Sequence, residues 1–299
     1  MGKPGSTTLL LTAVAMAAFA GNSLLARAAL SDGAMDPASY TLVRLVAGAI
    51  VLGLLLLPRQ RPRGLAALPG SWASAAALFA YALAFSLAYL RLGAAIGTLI
   101  LFASVQATMI GWGIARGHRP TPLEFAGLVL ALGGLVYLLM PGLQTPDLVG
   151  SLLMVSSGAA WGVYSLRGRS ARNPLDETAG NFLRAAMLCP PLFLVFLGDA
   201  GALSLAGCIL AVVSGAVTSG LGYAVWYRTL PGLSPAQAGI VQLTVPVIAA
   251  FGAVLFLSEV LTLRILVGGA LILGGVGLAI LSRTPAAPRP IPNPRHTSD

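Results

Sequence analysis

The chain has 299 residues, 57% of them apolar and only 9% charged, with 18 Lys and Arg against 9 Asp and Glu. A mean hydropathy of +0.87 excludes an ordinary water-soluble domain, because too few charged side chains exist to clothe so large an apolar content. The net charge of +9 does not point to nucleic acid, since the arginines fall in short loops between apolar runs and build no single basic face.

Ten apolar runs follow one another. The first, residues 7 to 30, contains Ala18-Phe19-Ala20, which looks like a signal-peptide cleavage site. The run continues well past that point, however, and reads as a full span with Asn22 near its centre. A turn holding Asp32 and Asp36 leads to span two, 38 to 57, with Arg44 in its early turns. Arg59, Arg61 and Arg63 make the next loop basic. Span three, 72 to 91, sets Tyr81, Phe85 and Tyr89 four residues apart, so the three rings share one face. Span four, 94 to 115, does the same with Thr98, Phe102 and Gln106. Span five, 122 to 140, carries Gly127, Gly133 and Gly134.

A turn-forming stretch with Pro141, Gly142 and Pro146 then divides the chain. Span six, 148 to 166, holds Trp161 and Tyr164. Span seven, 177 to 197, holds Arg184. Span eight, 203 to 227, holds Tyr223, Trp226 and Tyr227. Ser234 to Leu281 reads as a hairpin of spans nine and ten. Pro246 in the ninth has no N–H to give to the carbonyl of Gln242, which predicts a break in that helix and a freed carbonyl at depth. Five glycines in the tenth (Gly268, Gly269, Gly274, Gly275 and Gly277) predict close approach by another helix. The proline-rich tail, 284 to 299, is expected to be flexible and cytoplasmic.

With the amino terminus inside the cell, thirteen basic residues lie on cytoplasmic loops or tails: Lys3, Arg59, Arg61, Arg63, Arg116, Arg119, Arg167, Arg169, Arg172, Arg228, Arg283, Arg289 and Arg295. Asp32, Asp36, Asp147, Asp199 and Glu259 collect on the opposite side. The expectation is a multi-pass protein of a bacterial inner membrane with both termini cytoplasmic.

The halves repeat. A shift of 141 places Gly127 on Gly268, Gly133 and Gly134 on Gly274 and Gly275, Thr121 on Thr262, and Gly111 on Gly252; a shift of 140 places Arg44 on Arg184. Five spans is an odd number, so the second unit (142 to 283) must enter the membrane inverted relative to the first (1 to 141). Inverted repeats supply two nearly equivalent states, each open to one side, around a site near the midplane.

The run from Leu243 to Ile280, LTVPVIAAFGAVLFLSEVLTLRILVGGALILGGVGLAI, resembles the drug/metabolite transporter superfamily, specifically its ten-helix EamA-type exporters. So do GYAVWYRTL, Gly222 to Leu230, and an arginine early in the second helix of each half. The aromatic amino acid exporters are the branch the resemblance suggests. It implies an all-α membrane protein whose helices one, three, four, six, eight and nine line a central cavity, with five and ten peripheral. Val105 stands where the second half has Pro246, so the helix break is expected in one half only.

Polar groups within the spans are few. Asn22 and Gln242 are the candidates for direct substrate contact, with Gln106 weaker. Tyr81, Phe102, Trp161, Tyr164 and Tyr223 lie away from span ends and offer flat walls with polar tips. Trp72, Tyr89, Tyr137 and Tyr227 read as anchors at the membrane interface. Arg44 and Arg184 read as carbonyl caps or snorkelling side chains, with anion binding as the alternative. Glu124 and Glu259 read as structural, so no carboxylate is expected at depth to carry a proton.

No cofactor or metal is expected. Cys189 and Cys208 lack ligand spacing, His118 and His296 fall in loop or tail, and a chain whose one lysine is Lys3 has no Walker A loop. The absence of paired ionisable groups at depth argues against an enzyme. The expected function is facilitated export of hydrophobic or aromatic amino acids by a monomer or homodimer; the alternatives are exchange of phosphorylated or other anionic metabolites and proton-coupled drug export.

Overall fold

A computed structural model describes residues 5–30, 34–57, 69–92, 94–140, 146–190, 204–256 and 260–282. The expectations for Lys3, Asp32, the arginines at 59 to 63, Asp199, Glu259, Arg283 and the tail lie outside these residues.

The described residues are helical throughout the spans: α1 (Ser6–Leu30), α2 (Pro37–Leu56), α3 (Trp72–Tyr89), α4 (Ala94–Ala115), α5 (Pro122–Leu139), α6 (Leu148–Gly168), α7 (Pro174–Met187), α8 (Leu205–Gly232), α9 (Pro235–Val241), α10 (Thr244–Phe256) and α11 (Leu263–Leu281). Among the described residues nine segments are long and apolar enough to cross a membrane, α9 contributing to one of them together with the start of α10. This is an all-α integral membrane protein. Large apolar side chains face outward on many helices, among them Leu54, Phe125, Leu152, Leu205 and Leu255, as a lipid-facing surface requires.

Polar residues at the helix starts satisfy the orphan N–H groups there. Asp36 accepts from Ala38 and Ser39 at α2, and Asp147 from Gly150 at α6. Thr121 with Glu124 and Ser234 with Gln237 form capping boxes at α5 and α9, each followed by proline at the first helical position. The Glu124 carboxylate also accepts from the Ser234 hydroxyl at 2.7 Å, tying the two caps together. Its structural role agrees with the sequence reading.

Contacts between helices fix their directions. On α3 and α6, Ser74 meets Arg167 and Tyr81 meets Ser157, so the pair is antiparallel. Thr41 meets Ser86 and Arg44 meets Tyr81, which makes α2 antiparallel to α3. Tyr40 meets Ser214 while Gly220 lies near Leu52, so α2 and α8 run together. Hence α6 and α8 point the same way, and α7 lies on the stretch of chain that returns between them.

A close glycine seam joins α5 to α11. A Cβ on Gly127 would stand 2.4 Å from the Gly275 carbonyl oxygen, and one on Gly275 would stand 2.5 Å from that of Gly127. Further along, Gly134 and Leu138 abut Gly268, so these helices are antiparallel. Only glycine permits this backbone approach, where dispersion rather than the hydrophobic effect must hold helices together.

Three sequence expectations change. The break in the ninth span falls at Gln242-Leu243, one turn before Pro246, and Pro246 sits in the first turn of α10, where a missing N–H costs nothing. The Gln242 carbonyl is not free, because it accepts from Val245 N–H at 3.1 Å. Tyr227 is no interface anchor: it is buried, its ring lies where a Cβ on Gly168 would be, and its hydroxyl donates to the Tyr164 carbonyl. The α4 helix is continuous through Val105, so the interruption is indeed one-sided.

Candidate functional site

Six elements meet around one internal cavity: α1, α3, α4, α6, α8 and the α9–α10 junction. Its wall includes Asn22, Tyr81, Phe102, Trp161, Tyr223 and Gln242. Of the side chains singled out from sequence as substrate contacts, Tyr164 and Gln106 lie outside the wall; Tyr164 is fully buried and stacks on Trp161 at 5.7 Å between ring centroids. Phe19, Phe85 and Val105 also line the cavity.

The aromatic wall is continuous. Trp161 packs against Phe19 at 5.2 Å, Tyr81 at 4.9 Å and Tyr223 at 4.7 Å, distances at which edge-to-face and tilted rings attract. The Trp161 indole N–H donates to the Gln242 side-chain oxygen at 2.6 Å, and the Gln242 amide donates to the Ala238 carbonyl at 2.8 Å. Gln242 therefore bridges the helix break to the far wall. Gln106 lies outside the cavity and donates to the Gly239 carbonyl at 2.7 Å, fastening α4 to α9. The space left for water is about 40 Å³, room for a few molecules and too little for an amino acid, so the walls must part before a solute enters.

Asn22 joins a second polar cluster. Its side-chain oxygen accepts from Ser214 at 2.6 Å and Ser219 at 3.3 Å, with Thr218 at 3.4 Å. These hydroxyls converge because Ser214–Leu221 is a π-helical turn within α8, a wider winding that recurs at functional sites. Small residues let α2 approach it: a Cβ on Gly215 would stand 2.1 Å from the Arg44 carbonyl oxygen. No sequence pattern announced this winding.

Arg44 neither snorkels nor caps carbonyls. It sits about 10 Å along a helix about 30 Å long and is 1% exposed. Its Nε donates to Ser219 at 2.9 Å and its Nη2 to the Tyr223 hydroxyl at 2.6 Å and the Tyr81 hydroxyl at 3.4 Å. Arginine costs about 2.5–3.5 kcal/mol at a helix centre on insertion scales and less toward an end, a cost that the hydroxyl partners offset in part. Arg184, its counterpart in the repeat register, behaves differently and donates to the Gly180 and Pro69 carbonyls.

Similarity to known proteins agrees with this architecture. Residues 148–281 match the model of the EamA-like transporter family. An uncharacterised protein of Pseudomonas aeruginosa is 50% identical over 286 residues, covering 96% of this chain and 99% of that one. The threonine/homoserine exporter RhtA of Escherichia coli K12 is 30% identical over 171 residues, 54% of this chain and 56% of RhtA. A crystal structure of a protein 22% identical to this chain superposes with a TM-score of 0.77, covering 92% of this chain and 97% of that one, which establishes a common fold. A helical membrane protein with a six-helix aromatic cavity, these matches and 50% identity to a relative over nearly the whole chain together place it in the EamA-like transporter family.

Proposed function

We propose that the protein is an alternating-access exporter of hydrophobic or aromatic amino acids in a bacterial inner membrane, with both termini in the cytoplasm. The observation that carries this reading is the convergence of six rings, Asn22 and Gln242 on one cavity fed by six helices. Rings suit an apolar side chain, while the amides and ring faces suit the two charged ends of a zwitterion. The RhtA relatives, named for threonine and homoserine export, support an amino-acid substrate class.

Two inverted units, 1–141 and 142–283, supply the two states. Helices α5 and α11, which correspond under the 141-residue shift, pack antiparallel, and that shift turns the Gly127–Gly275 contact into the Gly268–Gly134 contact, which also exists. Likewise the packing of α3 on α6 is repeated by α8 on α1, and that of α4 on α6 by α10 on α1. Such exchange symmetry is what rocking between inward and outward states uses.

No acidic side chain lines the cavity among the described residues, which favours facilitated transport over proton coupling. Proteoliposomes loaded with phenylalanine, leucine or threonine should show saturable counterflow of the labelled amino acid, unchanged by an uncoupler. Counterflow absent for all three would reject the amino-acid reading, and uphill accumulation collapsed by the uncoupler would reject the facilitator.

A further inference from the structure

We infer that Arg44 is the carboxylate-recognition group of the transport site, acting with the hydroxyls of Tyr81 and Tyr223. The inference deepens the proposed function and rests on it for the substrate class. Three observations carry it. First, Arg44 is a buried cation whose side-chain partners are all neutral hydroxyls: Ser219, Tyr223 and Tyr81. Its guanidinium carbon also lies 5.4 Å from the Tyr81 ring centre, and no carboxylate pairs with it among the described residues. Buried charges are ordinarily paired, so the missing negative charge is one that the described residues do not supply.

Second, Arg44 Nη1 is buried and finds no acceptor among the described residues, although a guanidinium presents five donors suited to a two-oxygen anion. Third, the charge stands one hydroxyl behind the cavity. Tyr81 and Tyr223 both line it, both accept from Nη2, and their hydroxyls lie 3.4 Å apart. Tyr81, which accepts from both Arg44 and Tyr223, keeps its own proton to donate, and the Tyr223 proton, resting on Tyr81 at a long 3.4 Å, can turn to an incoming oxygen. A carboxylate entering between these two hydroxyls would meet donors already polarised by the cation behind them, and the small rearrangement that admits it would bring Nη1 within reach. An amino-acid carboxylate would then complete the pair that Arg44 lacks.

The test uses purified full-length protein in detergent and reads thermal stability by size-exclusion across titrations of 3-phenylpropionate, its neutral isostere 3-phenylpropionamide, and inorganic phosphate. The carboxylate should bind at least about tenfold more tightly than the amide, as expected when a charge-assisted pair is made. Arg44→Gln should bring that ratio close to one, and Arg44→Lys, which keeps the charge but loses the fork, should fall between. Equal binding of acid and amide by the wild-type protein would overturn the inference even if Arg44→Gln does not fold. Tighter binding of phosphate than of the carboxylate would also overturn it. Because this is a binding measurement, its failure is distinct from a failure of amino-acid counterflow.

Discussion

Replacing Gly215 by valine should leave little or no protein that survives extraction as a monodisperse species. A Cβ there would stand 2.1 Å from the carbonyl oxygen of Arg44 and 2.8 Å from its Cα, backbone atoms that cannot swing aside. Gly48, on the facing helix, would place a Cβ 2.9 Å from the Gly215 carbonyl, so α2 and the π-helical turn touch backbone to backbone. Overpacking of a well-fitted contact costs about 1–3 kcal/mol, and more where only backbone can move. The same separation of helices would pull Arg44 from Ser219 and uncover a charge at depth. Gly133 is the control: nothing lies within 4 Å of its added Cβ, and Gly133→Ala should be neutral or slightly stabilising through helix propensity. Thermal melting of the two variants in detergent decides the matter, and a Gly215→Val protein as stable as wild type would contradict the packing described.

The second large effect is expected at Trp161. Its ring touches Phe19, Tyr81, Tyr164 and Tyr223, and its N–H holds Gln242 at the helix break. Trp161→Ala would remove the centre of the aromatic wall and leave the Gln242 oxygen without its donor. Loss of an aromatic anchor in a desolvated pocket costs about 2 kcal/mol or more, so transport should fall by more than about tenfold. Trp161→Phe keeps an apolar ring and loses only the hydrogen bond, worth about 1 kcal/mol, and should show a smaller defect. Vmax and KM measured in proteoliposomes with matched amounts of folded protein separate this from simple misfolding. Wild-type rates for Trp161→Ala would remove the cavity from the transport route.

Much of this arrangement was legible in the sequence, and the physical reasons differ by feature. The spans could be read because each crossing must satisfy its own backbone in lipid, which forces long apolar helices with little room for variation. Asn22 and Gln242 stood out because polar side chains are scarce within such runs. Their cavity location followed from the family resemblance, which assigned the helices that meet around it. Tyr164 was grouped with the other rings since depth along a helix says nothing about azimuth; it faces Trp161 and Tyr227 behind the wall.

Other features depend on partners distant in the chain. Arg44 finds its hydroxyls on α8, more than a hundred residues away, as well as on α3, and its depth alone fits a snorkelling side chain equally well. The π-helical turn at Ser214–Leu221 carries no proline or charge to mark it, and only its fit against Gly48 and Asn22 accounts for its small residues and hydroxyls. Pro246 signalled a break correctly but not its position, because a proline is as comfortable in the first turn of a new helix as it is disruptive within an old one.

Alternating access can be tested directly at Phe102, which lines the cavity and is 8% exposed. In a protein whose Cys189 and Cys208 are replaced by alanine, Phe102→Cys should react with a membrane-impermeant maleimide in both right-side-out and inverted vesicles. A transported amino acid should slow labelling from either face. Labelling from one face alone, or from neither, with no effect of substrate, would contradict a cavity that opens to each side in turn.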